Sequence, residues 1–329
     1  MEVVTFSRNV FLPLTRTCRN RCSYCGFRRN DFKLMSRDEV VRMLCNARNA
    51  VEALFTFGEK PEVYPEFRKK LRSMGCSSFL DYVRDMNHLA VKMGFLPHTN
   101  AGVLSYNELK YLKIYNASMG LMLEQAVELE CHANSPGKKP KVRIETIVNA
   151  GKLQIPFTTG ILVGIGEKEY DRAYSLEVIS EIHKNYGHIQ EVIIQNFSPK
   201  PKTPMQNVKP PTVGEMLKTV RIARDILPKD VTIQIPPNLV KDVSPFIKAG
   251  ARDLGGISEV TPDYINPEHP WPRVEYLRRV LAFHGFELRE RLPIYPKYVT
   301  MGWYSDEISQ VVKAHADDGG YRRTNLQSI

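Results

Sequence analysis

Short, unbroken apolar runs alternate along the chain with longer stretches whose apolar residues recur at helical spacing. A short apolar run fits a strand buried on both faces, and a segment with a period near 3.6 residues fits a helix laid over it. The runs predict strands at 10–14, 53–57, 95–99, 118–123, 157–163, 191–197, 231–235 and 253–255. Ser36 with Glu39, Ser105 with Glu108, and Thr212 with Glu215 have the Ser/Thr-x-x-Glu spacing of a capping box, so each opens a helix, the first reaching about residue 50. Further helices are predicted over 79–93 and from Pro140, a favoured first helical position. Eight strand–helix alternations predict an α/β fold of the (β/α)8 TIM type. With no Gly/Ser-rich linker, residues 1–329 read as a single barrel domain with a short C-terminal extension. The proline-rich stretches 198–204 and 261–272 read as loops at strand ends.

Composition changes this picture little. A chain of 329 residues, 43% of them hydrophobic, buries enough apolar surface to fold without disulfides. The net charge of +10 would suit an anionic partner, but the 46 basic residues are dispersed among 36 acidic ones. The densest runs, Arg68-Lys-Lys-Leu-Arg72 and Lys138-Lys-Pro-Lys-Val-Arg143, carry no interleaved aromatics, so they read as solvated surface and not as a nucleic-acid interface. Glu2 and Arg8 interrupt any signal-peptide core, and no window is apolar enough to span a membrane. A cytoplasmic protein is expected. There thiols stay reduced, so a tight cysteine cluster points to metal.

Such a cluster is present: Cys18, Cys22 and Cys25, spaced by three residues and then two. Structural zinc takes four protein ligands, often in two pairs, but Cys45, Cys76 and Cys131 stand alone. Thiolates on a compact loop also suit an iron–sulfur cube, and three of them leave one iron open, as in a catalytic metal site. The cluster follows the first predicted strand, in a βα loop, and barrel enzymes carry their chemistry at that face.

Cys-x3-Cys-x2-Cys, with the aromatic Tyr24 before the last cysteine, resembles the radical S-adenosylmethionine (SAM) enzymes. The resemblance implies a [4Fe-4S] cluster on Cys18, Cys22 and Cys25. SAM is then the fourth ligand, through its amine and carboxylate. One electron passed to the sulfonium gives a 5′-deoxyadenosyl radical that abstracts hydrogen. Gly58-Glu59 resembles the family's Gly-Gly-Glu-like turn, with Phe57 in place of the first glycine. The resemblance also implies Glu124, an acid ending an apolar strand, for the SAM ribose, and Arg143, a guanidinium fork, for its carboxylate. Gly164 and Gly166 lack the third glycine of a dinucleotide fingerprint, and the resemblance makes them a turn near the adenine. The amides Gln195 and Asn196 end strand six; they bind polar substrate, cap the adenine, or are structural.

Longer phrases narrow the family. The stretches 96–104, 156–167, 194–197 and above all 253–271, from Asp253-Leu-Gly-Gly to His-Pro-Trp271, are similar to subunit 1 of the deazaflavin (FO) synthases. That similarity implies a carbon–nitrogen lyase. Its substrate would be 5-amino-5-(4-hydroxybenzyl)-6-(D-ribitylimino)-5,6-dihydrouracil, which loses ammonia to give a deazaflavin for coenzyme F420. It further implies a companion subunit, CofH, that makes the adduct from tyrosine, and an electron donor such as a ferredoxin or flavodoxin. A pocket for a phenol, a uracil and a ribityl chain needs aromatic walls and amides. Asn100 and Tyr264 are the candidate substrate contacts, and His98 and Trp271 face the same mouth. Asn266 and His269 are the catalytic candidates, His269 as a base. The alternatives are the tyrosine-cleaving companion itself and a menaquinone- or biotin-type relative. More distant is a non-catalytic metal module that binds nucleic acid with steep salt dependence.

Overall fold

The structure, a computed structural model, describes residues 1–47 and 49–323. Strand β1 (Glu2–Leu12) organises the sheet. Val10 and Leu12 are fully buried towards the helical layer, while Asn9 and Phe11, on the alternate face, look into the barrel. The other strands are β2 (Glu52–Thr56), β3 (Leu96–Asn100), β4 (Ser118–Gly120), β5 (Phe157–Val163), β6 (Ile189–Asn196), β7 (Thr232–Gln234) and β8 (Asp253–Ile257). Each pairs in parallel with the next, β8 pairs with β1 and β1 with β2, so eight strands close into the expected barrel. The three capping boxes form as expected, at helices Arg37–Asn46, Tyr106–Lys113 and Val213–Ile226. Pro140 opens helix Pro140–Lys152.

Several boundaries differ from the sequence reading. β1 begins at Glu2 instead of residue 10, because the polar inward residues Ser7 and Asn9 break the apolar run that marks a buried strand. β4 ends at Gly120, and beyond it the chain makes only an isolated bridge, Glu124 to Ile161, with Glu124 left-handed at φ 66°. Helix Pro65–Ser73 lies in a segment to which the sequence pattern assigned no element. Among the described residues no helix is long and apolar enough to cross a membrane.

The C-terminal extension is more than a tail. Helix Val274–Phe283 leads to a ninth strand, β9 (Phe286–Glu290), which runs parallel to the first half of β1, from Glu2↔Phe286 to Phe6↔Glu290. The second half of β1, Asn9 to Leu12, pairs with β2, so β9 fills the place below β2. The chain then turns under the barrel. Pro293 O accepts from Ser118 Oγ at 2.7 Å and Gln190 Nε2 at 2.9 Å, and Leu292, Ile294 and Tyr298 form a second apolar core. This segment floors the cavity.

Candidate active site

A cavity of about 410 Å³ runs from the C-terminal mouth of the barrel into its interior. All three cysteines line its upper wall. Their loop is held from two sides. From the end of β2, Gly58 N donates to Thr15 O and Glu59 O accepts from Arg19 N, both at 2.9 Å. From the segment after β4, Cys131 O accepts from Ser23 N and Ser135 Oγ from Arg21 N. Two thiols already accept hydrogen bonds at 3.3 Å, Cys18 Sγ from Glu59 N and Cys22 Sγ from Ser135 Oγ. Burial pushes the Cys18 thiol up to about 11 and raises that of Cys22, so these two bare thiols stay protonated at neutral pH. Among the described residues no three His, Cys, Asp or Glu side chains converge as around a single ion. A cubane asks for less, since each thiolate meets its own iron.

Gly58 explains why β2 ends as it does. A Cβ on it would lie 2.0 Å from Thr17 O and 3.0 Å from Cys18 Cβ, so only glycine lets the strand end touch the cysteine loop. Its neighbour Glu59 is buried, accepts from Val103 N at 3.0 Å and from Arg19 Nε at 2.7 Å, and faces Arg143 Nη1 at 3.9 Å. Burial works to raise its pKa, but Arg143 and these donors outweigh burial and hold it below the ordinary range. Arg143 is itself buried, though a helix position in the sequence suggests exposure. It donates to Met122 O at 2.6 Å and Gly137 O at 2.8 Å, and its Nη2 faces Glu124 at 3.9 Å. Glu124 pairs with Lys138. Burial opposes its ionisation, and Lys138 with Arg143 reverse that. Two ionised carboxylates and two cations thus line the cavity next to the thiols. Tyr24 lines it too, its hydroxyl 2.9 Å from His132 Nε2.

Deeper in, Asn100 at the end of β3 donates to Thr56 Oγ1 at 3.0 Å, and its Oδ1 lies 3.3 Å from His98 Nε2. Burial lowers the His98 pKa to about 4, so the ring is neutral. Gln195 and Asn196 line the cavity, and Asn196 Oδ1 is buried without a partner. Asn266 is buried with both ends engaged: Oδ1 accepts from Lys200 Nζ at 2.7 Å and Nδ2 donates to Asp263 at 2.9 Å.

Four candidates sit outside the lining. Gly164 and Gly166, at φ 98° and 109°, form a turn whose N–H groups are gathered by Glu167, which Arg172 holds at 2.6 Å. Tyr264 packs edge-on against Phe11 at 5.3 Å, behind the wall that Phe11 makes. His269 lies at the rim, 3.0 Å from Ser198 Oγ, and its carbonyl accepts from Asn238 Nδ2, a lining residue. It therefore supports the wall and does not face the cavity.

Sequence reasoning missed Lys200, whose stem packs where Gly26 lacks a side chain, and the ionisable floor. On that floor Arg291 grips Asp253 with Nε at 2.7 Å and Nη2 at 2.9 Å, and reaches Glu191 at 3.2 Å. Glu191 also accepts from Thr158 and from Tyr295 OH, each at 2.7 Å. An inward acid near the start of a short strand was the available signal, at Glu52, Glu191 and Asp253. Burial raises Glu52 to about 7 against the pull of Arg291, with Glu191 and Asp253 adding to the rise. The folded chain therefore keeps a proton that the unfolded chain releases near the ordinary carboxylate value. Stability contributed by the neutral carboxyl is full below that value, falls as pH rises, and is lost above about 7. From pH 5 to pH 8 the melting temperature of the wild type should fall by a few degrees more than that of Glu52→Gln, as differential scanning calorimetry would read.

Residues 12–179 match the model of the Radical SAM superfamily. The chain is 64% identical over 324 residues to a 7,8-didemethyl-8-hydroxy-5-deazariboflavin synthase of Archaeoglobus fulgidus, covering 98% of this chain and 100% of the relative. It is 54% identical to the protein of the same name from Methanococcoides burtonii, covering 98% of each. Among solved structures, the [FeFe]-hydrogenase maturase HydG superposes with a TM-score of 0.69 at 15% identity, over 95% of this chain and 70% of that one. Methylornithine synthase superposes with a TM-score of 0.63 at 17% identity, over 87% and 83%. At such identity these two speak for the fold alone.

Proposed function

We propose a reaction for this chain from its family, since it belongs to the radical SAM superfamily and, within it, to the 7,8-didemethyl-8-hydroxy-5-deazariboflavin synthases. It is a radical SAM enzyme that acts on small molecules, and its family implies an iron–sulfur cluster and SAM. The finer reading is that it performs the ammonia-releasing half of deazaflavin formation, as subunit 1. One observation carries this reading: three thiols open into a cavity that continues from the barrel mouth into a polar interior.

The residues present fit the cluster, because Cys18, Cys22 and Cys25 share one anchored loop and two of their sulfurs already sit among hydrogen-bond donors. Held by these three thiolates, the cluster would supply one-electron reduction and SAM the means of hydrogen abstraction. Glu59, Glu124 and Arg143, side by side and charged, would hold the amino-acid and ribose ends of SAM, with Tyr24 closing the wall. Gly58 keeps the end of β2 against the cysteine loop. Asn100, Gln195 and Asn196 would face the substrate's polar atoms below, while Asn266 is held between Lys200 and Asp263. His269, at the rim, holds the wall through Asn238.

The adduct must lose ammonia and two hydrogens to become the deazaflavin. Cleavage of SAM to methionine and deoxyadenosine takes up both electrons, one of them recycled. A companion subunit supplying the adduct and a ferredoxin or flavodoxin supplying the electron complete the scheme. Arg16, Arg19, Arg21, Arg28 and Arg29 give the cysteine loop a charge that suits an acidic donor.

The test is an anaerobic incubation with SAM, reductant and either the adduct or tyrosine. Fluorescent deazaflavin from the adduct, with tyrosine untouched, supports the reading. Consumption of tyrosine instead would make the chain the companion subunit. Gly58→Ala should lower deoxyadenosine formation at least about tenfold, because the added methyl must displace the Thr17–Cys18 backbone. Chromatographic counting of deoxyadenosine checks this.

A further inference from the structure

The interior of a (β/α)8 barrel is ordinarily packed with bulky branched side chains. Here the lower interior is polar. Ser7 and Asn9 come from β1, Glu52 from β2, Glu191 from β6, Gln234 from β7 and Asp253 from β8. Part of this set is a closed network: Arg291 takes Asp253 and Glu191, and Thr158 and Tyr295 complete Glu191. The rest is left over. Asn9 is 2% exposed, lines the cavity, and its Oδ1 has no hydrogen-bond partner among the described residues. Ser7, fully buried, backs Glu52 from behind and does not line the cavity. Glu52 is 6% exposed and its carboxyl faces the cavity. A buried polar atom left without a partner is costly, and one that faces a cavity points to a ligand that supplies the partner.

The backbone leaves room for these groups. A Cβ on Gly255 would lie 2.2 Å from Gln234 Nε2, and one on Gly256 would lie 2.1 Å from Asn9 Nδ2. Two consecutive glycines on β8 thus give space to two amides. The charge balance selects the ligand. Arg291 is already committed to two carboxylates, so an anion on the floor would meet Glu52, Glu191 and Asp253 with no free cation beside them among the described residues. What remains on the lining is a mixture of acceptors and donors: a carboxyl and two carboxamides, each with an oxygen and an NH2 group. A chain of neutral hydroxyls, each both donor and acceptor, satisfies such a mixture. Higher in the cavity the walls turn apolar, with Phe11, Leu239 and Trp271.

We propose that the floor formed by Asn9, Glu52 and Gln234 is the subsite for a neutral polyhydroxylated chain on the substrate, with Glu52 as the residue that recognises it. The inference rests on the reading above, in which the product is a deazariboflavin and its precursor carries a ribityl chain. Burial, which keeps the Glu52 carboxyl protonated up to about pH 7, lets it donate as well as accept.

The test is binding, which does not require turnover. The probes are 6-(D-ribitylamino)uracil and 6-(methylamino)uracil, titrated calorimetrically into the reconstituted wild type, Glu52→Leu and Glu52→Gln. The wild type should hold the ribityl compound at least about tenfold tighter than the methyl compound. Glu52→Leu should lose that discrimination, and Glu52→Gln, which keeps a donor and an acceptor, should recover part of it. Equal binding of the two probes by the wild type, or full discrimination by Glu52→Leu, overturns the proposal. If discrimination depends on Glu52 while the adduct yields no deazaflavin, the floor stands and the proposed reaction falls.

Discussion

Cys22→Ala is expected to give a folded, colourless protein that forms no deoxyadenosine above about a thousandth of the wild-type rate. The thiol lies on a loop that the rest of the fold holds in place without it, through Gly58, Glu59, Cys131 O and Ser135. Losing one of three protein ligands therefore costs the cluster and leaves the barrel. Cys131→Ala is the control. Cys131 is buried within reach of Cys22, but its side chain belongs to an apolar group with Leu162 and Phe197. That variant should keep iron, colour and SAM cleavage. Iron analysis, absorbance and deoxyadenosine counts separate the two, and full turnover by Cys22→Ala would refute its role as a ligand.

Arg291→Met should be the most destabilising single change in the interior. It removes the cation from Asp253 and Glu191, both buried, and leaves two carboxylates with Glu52 close by. Breaking a buried pair in this way costs about 3–5 kcal/mol, on the order of 5–10 °C in melting temperature. The pH dependence identifies the cause. Burial already raises the Glu191 pKa against the pull of Arg291, and without that pull it rises further, so the variant's stability is present at low pH and lost as pH rises. Its deficit against the wild type should be smaller at pH 5 than at pH 8. A deficit equal at both would mean that packing and not charge is what Arg291 supplies.

Much of the architecture was legible because helix signals are local. Ser36, Ser105 and Thr212 each have their glutamate three residues on, and each box forms. The cysteines were legible for the same reason, since their spacing sits inside one loop. Signals failed where the barrel interior is polar. Ser7 and Asn9 broke the apolar run of β1, and Glu52, Glu191 and Asp253 do not announce themselves as inward until the barrel closes. Arg291 was invisible for a further reason: its partners lie 38 and 100 residues away, and only the turn after β9 brings it beneath them. The resemblance marked Arg143 for SAM, but its burial was not legible, because its partners Met122 O, Gly137 O and Glu59 come from three other segments. His269, sequence-adjacent to Asn266 in a loop at the mouth, ends up behind the wall that Asn238 makes.

The most direct test of a cluster at the barrel mouth that awaits SAM is made on anaerobically reconstituted wild-type protein. Its reduced electron paramagnetic resonance spectrum is recorded with and without SAM, and deoxyadenosine is counted in the same samples. The account predicts about four irons per chain, a cubane signal that changes shape when SAM is added, and deoxyadenosine released with strong reductant. Bound zinc in place of iron, or a spectrum indifferent to SAM with the nucleotide left intact, would contradict it.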